Sequence, residues 1–157
     1  MSCENVKAYL ESVGFGDRFV TREMTADTVT HAAESIGCTE AEIAKTMSFM
    51  LKDDTVIVIV ASGDTKIANA KFKETFGCKA QMLPFDRVEE LTGHAPGGVC
   101  PFALKEGVRV YLDETLKRFA VSHASGGSHN TTVGLTPTEL EQITSPAAWV
   151  DVCAIRE

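Results

Sequence analysis

Seven consecutive residues, Thr55-Val-Ile-Val-Ile-Val-Ala61, constrain the fold of this chain more than any other stretch. β-branched residues are stiff at χ1 and pack well on a pleated surface, so the run reads as a strand. It has no polar alternation and therefore no face for water. Such a strand sits centrally in a sheet that is covered on both sides. Lys45 to Leu51 reads as its neighbour, joined to it by a hairpin turn at Asp53-Asp54.

The rest of the chain supplies the cover. Val6, Tyr9, Leu10 and Val13 fall at helical spacing within Glu4 to Val13, and Gly14 stops that helix. Arg18 to Glu23 alternates in part and reads as a strand. Thr25 or Asp27 caps a helix that buries Val29, Ala32, Ala33 and Ile36 and ends at Gly37. Thr39 and Glu42 form a capping box around a short helical turn. Beyond the central run come a helix from about Lys66 to Phe76, a short strand Lys79 to Leu83, and a helix opened by Pro84 that runs through Leu91 to Gly93. Then follow strands at Val108 to Leu112 and Arg118 to His123, with a turn at Glu114 to Lys117 between them. A strand at Thr131 to Leu135, a helix from Thr136 to about Ile143 and a last strand from Ala148 to Cys153 complete the chain. Interspersed strands and helices with hairpins predict one α/β domain over residues 1–157 with a mixed sheet.

A length of 157 residues suffices for one domain with a real core. No apolar run reaches the roughly 20 residues that a membrane span needs. The N-terminus has no apolar signal core, which predicts a cytoplasmic protein without a membrane partner. A net charge of −7 argues against general nucleic-acid binding, so any such contact is local and confined to one end of the nucleic acid. The five cysteines are scattered and form no Cys-x-x-Cys, which argues against a disulfide framework and a zinc site.

Two loops stand out chemically. Thr92 to Phe102 holds three glycines and two prolines in eleven residues, with Val99 and Phe102 as apolar anchors. Bare backbone at Gly97 and Gly98 lets a ligand approach N–H groups, as in oxyanion and phosphate cradles. A tight connector between packed elements fits the same residues. Ser125-Gly126-Gly127-Ser128-His129-Asn130 offers hydroxyls, an imidazole and an amide that could hold a ribose or orient a water. It reads equally as a solvated hairpin turn.

Lys45 carries the sharpest expectation. If Met47, Phe49 and Leu51 face inward, strict alternation turns Lys45 inward with them. A lysine on the core side is costly unless its ammonium reaches a cleft or a carboxylate. A register break would instead turn it to solvent. His129 is a candidate general base. His31 and His94 have no partner at metal-ligand spacing, so neither a metal nor a cofactor is expected. Asp113 either reaches the site or caps a turn. Cys100, inside the glycine loop, would need a nearby base to act as a thiolate, and no Cys-His pairing is visible in the sequence.

The order of these motifs resembles a known family. It comprises Ile43-Ala-Lys45-Thr-Met-Ser-Phe49, the apolar strand, Ala61-x-Gly-Asp-x-Lys66, Leu91-Thr-Gly-His-x-x-Gly-Gly-Val-Cys-Pro-Phe102, Val110-Tyr-Leu-Asp113 and a Gly/Ser-rich loop. Over nearly its whole length the chain is similar to the YbaK/ProX family of free-standing aminoacyl-tRNA deacylases, relatives of the editing insertion of bacterial prolyl-tRNA synthetases. The resemblance implies a mixed, curved, barrel-like sheet with surrounding helices. It also implies hydrolysis of the ester joining a wrong small amino acid (Ser, Ala, Thr or Cys) to the tRNA 3′ CCA end, with assistance from the terminal 2′-hydroxyl. An aminoacyl-tRNA synthetase is a further implied partner. Lys45 matches the family's lysine, and Gly93, His94, Pro96, Gly97 and Gly98 lie in its glycine loop. Lys45, Gly97 and Gly98 are then the expected catalytic groups, with Gly93, His94, Pro96 and Ser125 to Asn130 around the substrate. The second loop matches loosely, because alanine-clearing members carry a His-Pro start and cysteine-clearing members a more basic loop. A tRNA- or nucleotide-binding module without hydrolysis, and a thiol enzyme built on Cys100, are the competing readings.

Overall fold

The computed structural model describes residues 2–22, 28–128 and 130–156. In chain order the elements are α1 (Ser2–Ser12), β1 (Phe19–Thr21), α2 (Val29–Ile36), β2 (Ile43–Met50), β3 (Val56–Ser62), β4 (Thr65–Ile67) and α3 (Asn69–Phe76). They continue with α4 (Val88–Thr92), β5 (Arg109–Asp113), β6 (Ser122–Ser125), β7 (Thr131–Leu135), α5 (Pro137–Thr144), β8 (Ala148–Val150) and β9 (Cys153–Ile155). Seven strands form one mixed sheet in the order β1-β7-β6-β2-β3-β5-β8, and β4 pairs with β9 in a second, two-stranded sheet.

The apolar run is the central strand that its composition demands. β3 pairs antiparallel with β2 and parallel with β5. Its even-numbered residues Val58 and Val60 join a core with Leu112, Leu135, Val6 and Leu10 of α1, Leu140 and Ile143 of α5, and Phe102. Its odd-numbered residues Ile57, Ile59 and Ala61 join Phe49, Phe72 of α3, Val152 and Cys153 on the opposite face. Helix ends follow the glycines: Gly37, Gly77 and Gly93 each close a helix in the left-handed region. Thr39 and Glu42 make the expected capping box. The cap of α2 is Thr28, whose hydroxyl accepts from the His31 N–H at 3.1 Å; Thr25 and Asp27 lie outside the described residues.

Four local expectations are corrected by pairing between distant segments. Thr65–Ile67 is a strand and not the start of a helix, because it meets Cys153–Ile155 in antiparallel register. The expected last strand is two strands in two sheets. Around Val152 the chain leaves the large sheet, and the buried Asp113 carboxylate accepts the Val152 N–H at 3.0 Å. Lys79–Leu83 contributes a single bridge, Phe49 to Met82, and not a strand. The helix after Pro84 is a turn of 3₁₀ helix followed by the five-residue α4.

Asp113 caps the turn Glu114–Arg118. Its second carboxylate oxygen accepts from the Thr115 N–H at 3.0 Å and the Thr115 hydroxyl at 2.7 Å. The side chain therefore ties β5 to the crossover between β8 and β9. Asp113→Ala would leave the buried Val152 N–H without its acceptor and remove a cap, and should cost about 3 kcal/mol. Urea unfolding should show that loss; a change below about 1 kcal/mol would mean that the carboxylate does not hold the crossover.

Candidate functional site

The sheet splits at one place. β2 and β6 run parallel, yet they pair only at Ile43–His123 and Ala44–Ala124. β6 ends one residue later, at Ser125, and a cleft of about 230 Å³ is lined by residues of both strands. Lys45 and Thr46 of β2, His123 and Ser125 of β6, Ser128, Pro96 and Val99 line it. Val29, Ala32 and Ile36 of α2 form an apolar wall. Of the face that the sequence expects to be buried, Ala33 is buried, while Val29, Ala32 and Ile36 are half-buried and line the cleft.

Alternation holds along β2, and Lys45 shares its face with Met47 and Phe49, opposite Ala61 of β3. The side chain is half-buried, and its ammonium donates to the carbonyl oxygen of Thr65. Desolvation lowers its pKa first and the nearby Arg156 second, against smaller opposing effects of Cys153 and Asp64. Asp64 does not neutralise it: that carboxylate is held by Arg118 at 2.7 Å. Among the described residues Lys45 forms no ion pair. A half-buried cation that donates to a neutral acceptor is a perturbed group of the kind that marks functional sites.

The two glycine loops pack backbone on backbone. A Cβ built on Gly98 would lie 2.4 Å from the Gly127 carbonyl oxygen, and one on Gly126 would lie 2.8 Å from the Phe19 ring. Their amides are largely engaged within the loops. The Gly98 N–H donates to the Ala95 carbonyl at 2.8 Å, the Gly126 N–H to the Thr131 carbonyl at 3.1 Å, and the Gly127 N–H to the Ser125 hydroxyl at 3.1 Å. Gly98 thus contributes close approach of the loops, with its amide already used. Gly97 is the middle residue of the Pro96–Gly98 turn.

Of the candidate residues read from the sequence, Lys45, Pro96, Ser125 and Ser128 line the cleft together. Gly126 and Gly127 sit behind Ser125, while Asn130 braces the loop by accepting from the Ser128 hydroxyl at 2.9 Å. His129 lies outside the described residues. Gly93 closes α4, and His94 is fully buried, with its Nε2 2.7 Å from the Phe102 carbonyl. These two shape the glycine loop from behind. The Cys-His pairing that the sequence hides does exist, since Cys100 Sγ lies 3.6 Å from His94 Nε2. Both side chains are buried, and burial pushes the Cys100 thiol up to about 12, away from what a thiolate nucleophile needs. Cys153 is also buried, and the other three cysteines are half-buried. Among the described residues no group of acidic, histidine and cysteine side chains could hold a metal, and no helix is long and apolar enough to cross a membrane.

Sequence reasoning missed His123. It reads as the last residue of a strand, and only the short β2–β6 pairing places it in the cleft. Desolvation chiefly holds its pKa below 6.5, with Arg22 lowering it further and Glu42 opposing. The imidazole is therefore neutral near pH 7.

The chain is similar to several known proteins. It is 44% identical to YwhH, an uncharacterized protein of Bacillus subtilis, over 153 residues that cover 98% of each chain. It is 22% identical to the proline–tRNA ligase of Brachyspira hyodysenteriae over 130 residues, a match that covers 81% of this chain and 22% of the ligase. A solved structure described as a proposed trans-editing enzyme for prolyl tRNA synthetase superposes with a TM-score of 0.87 at 28% identity, covering 98% of this chain and 97% of the other. Residues 23–143, which span β2, β6 and the loops that bound the cleft, match the aminoacyl-tRNA editing domain, and the chain belongs to that family.

Proposed function

We propose that this chain is a trans-editing hydrolase that cleaves the ester linking a small amino acid to the 3′ end of a mischarged tRNA. One observation carries the reading: a half-buried ammonium and a neutral imidazole, from two diverging strands, line one small cleft. At about 230 Å³ the cleft is smaller than pockets for drug-sized ligands, roughly 300–1,000 Å³. The α2 wall takes the amino-acid side chain. The acidic chain touches the tRNA only at its CCA end, and a synthetase that mischarges the tRNA is the partner that supplies it.

In this mechanism Lys45 leaves the Thr65 carbonyl and donates to the ester carbonyl oxygen. His123 accepts a proton from a water as that water attacks the carbonyl carbon. The oxyanion that forms is stabilised by the Lys45 ammonium and the Gly97 amide. Collapse breaks the bond to the ribose oxygen, which takes the proton back from the imidazolium. The amino acid and a tRNA with a free terminal hydroxyl leave. An aminoacyl ester is already activated, so positioning and oxyanion stabilisation suffice without a protein nucleophile. The engaged amides of Gly98, Gly126 and Gly127 favour a second reading, a module that binds the tRNA end without hydrolysis. It predicts saturable binding of an aminoacyl-adenosine mimic with no turnover.

Lys45→Ala should lower kcat/KM for deacylation about 100-fold, the effect of losing one oxyanion donor, with little change in Tm. Turnover at the wild-type rate on serine-, alanine-, threonine- and cysteine-charged tRNAs would remove Lys45 from the mechanism. Gly98→Ala forces the two loops apart and should cost about 1–3 kcal/mol of stability as well as activity; a variant with wild-type stability would refute the backbone contact. Protonation removes the base, so kcat/KM should fall as the pH drops through a midpoint below 6.5, and fall again at alkaline pH as Lys45, whose pKa burial lowers, loses its proton. His123→Gln should abolish that acid limb, and an unchanged limb in the variant would exclude His123.

A further inference from the structure

Beside the cleft lies a second, more apolar cavity of about 350 Å³. Thr46, Pro96 and Val99 line both cavities, and Met82 and Phe85 form the outer rim of the second. These two are the most exposed large apolar side chains among the described residues, at 62% and 80%. Contiguous exposed apolar surface, here a methionine and an aromatic ring on one cavity, is a mark of interaction sites.

The rim is anchored. The Met50 N–H donates to the Gln81 carbonyl at 2.9 Å and the Leu83 N–H to the Ser48 carbonyl at 3.2 Å, which fastens the segment to the edge of β2. Pro84 then starts the turn Phe85–Arg87, closed by an Arg87 N–H to Pro84 carbonyl bond of 2.9 Å. Phe85 is therefore presented by fixed backbone and has no apolar cover of its own. The residues that follow are acidic at Asp86, Glu89 and Glu90, and Arg87 is paired with Glu90 at 3.6 Å. Phosphate is repelled there. The face of a nucleobase needs no cation and gains from an aromatic platform.

Geometry links the two cavities. The amino acid and the base of an aminoacylated terminal nucleotide hang from the same ribose, so their sites must adjoin within one nucleoside's length. The shared wall meets that condition. Thr46 stands on it with a hydroxyl that has no hydrogen-bond partner among the described residues. We propose that Met82 and Phe85 form a shelf on which the terminal nucleobase of the tRNA stacks while its aminoacyl ester occupies the Lys45 cleft. The shelf rests on the editing reading and extends it to the nucleoside. It makes selection of the RNA end a matter of stacking, and leaves the phosphates outside.

The test compares two probes on the full chain: 3′-(alanylamino)-3′-deoxyadenosine, whose amide resists hydrolysis, and the same sugar amide without a base. Phe85→Ala should weaken the adenosine probe at least tenfold, leave the abasic probe unchanged, and leave Tm unchanged because the side chain is exposed. Phe85→Trp should restore binding. Equal binding of the adenosine probe by wild type and Phe85→Ala, in a protein that deacylates mischarged tRNA, would overturn the shelf and leave the editing reading standing. Absence of both binding and deacylation in the wild type would overturn both. Wild-type probe binding by Phe85→Ala, with loss of binding to a prolyl-tRNA synthetase, would show a protein-docking patch and also overturn the shelf.

Discussion

Two parallel strands that pair for only two residues set the geometry on which the site depends. β2 and β6 meet at Ile43–His123 and Ala44–Ala124 and then separate. Full pairing would place Ser125 beside β2 and close the gap. Divergence instead leaves an interior edge of the sheet uncovered, and the glycine loop fills part of it. Lys45 of β2 and His123, which pairs with Ile43 two residues before it, line the same cavity.

The loops hold that separation through close contact of bare backbone. Gly98 against Gly127 and Gly126 against Phe19 leave no room for a side chain. Behind them, His94, Cys100 and Phe102 form a buried support whose hydrogen bonds end on the Phe102 carbonyl. The glycines set how near the loops stand, while the Gly98, Gly126 and Gly127 amides donate to Ala95, Thr131 and Ser125. The chemical work then falls to side chains, chiefly Lys45 and His123, in the reading proposed above.

Much of this was legible in the sequence. The central strand followed from Val56 to Val60, the helix stops from Gly37, Gly77 and Gly93, and the inward face of Lys45 from the alternation with Met47 and Phe49. The motif order led to the family that the comparisons then showed. What local pattern could not carry was pairing between distant segments. Thr65–Ile67 becomes a strand only because Cys153–Ile155 arrives beside it, and the last strand divides because Asp113 captures Val152. His123 has no local signal, since its place in the cleft depends on where β6 stops following β2. His94 and Cys100 are six residues apart inside an irregular loop, and no periodicity predicts that they touch.

In the proposed reaction the Lys45 ammonium exchanges the Thr65 carbonyl for the carbonyl of an aminoacyl ligand. A structure of the complex with a non-hydrolysable aminoacyl-adenosine tests it most directly. Lys45 Nζ should then lie at hydrogen-bond distance, about 3 Å, from the ligand carbonyl, with the amino-acid side chain against Val29, Ala32 and Ile36. A ligand bound elsewhere, or one seated in the cleft while Lys45 remains on Thr65, would contradict it.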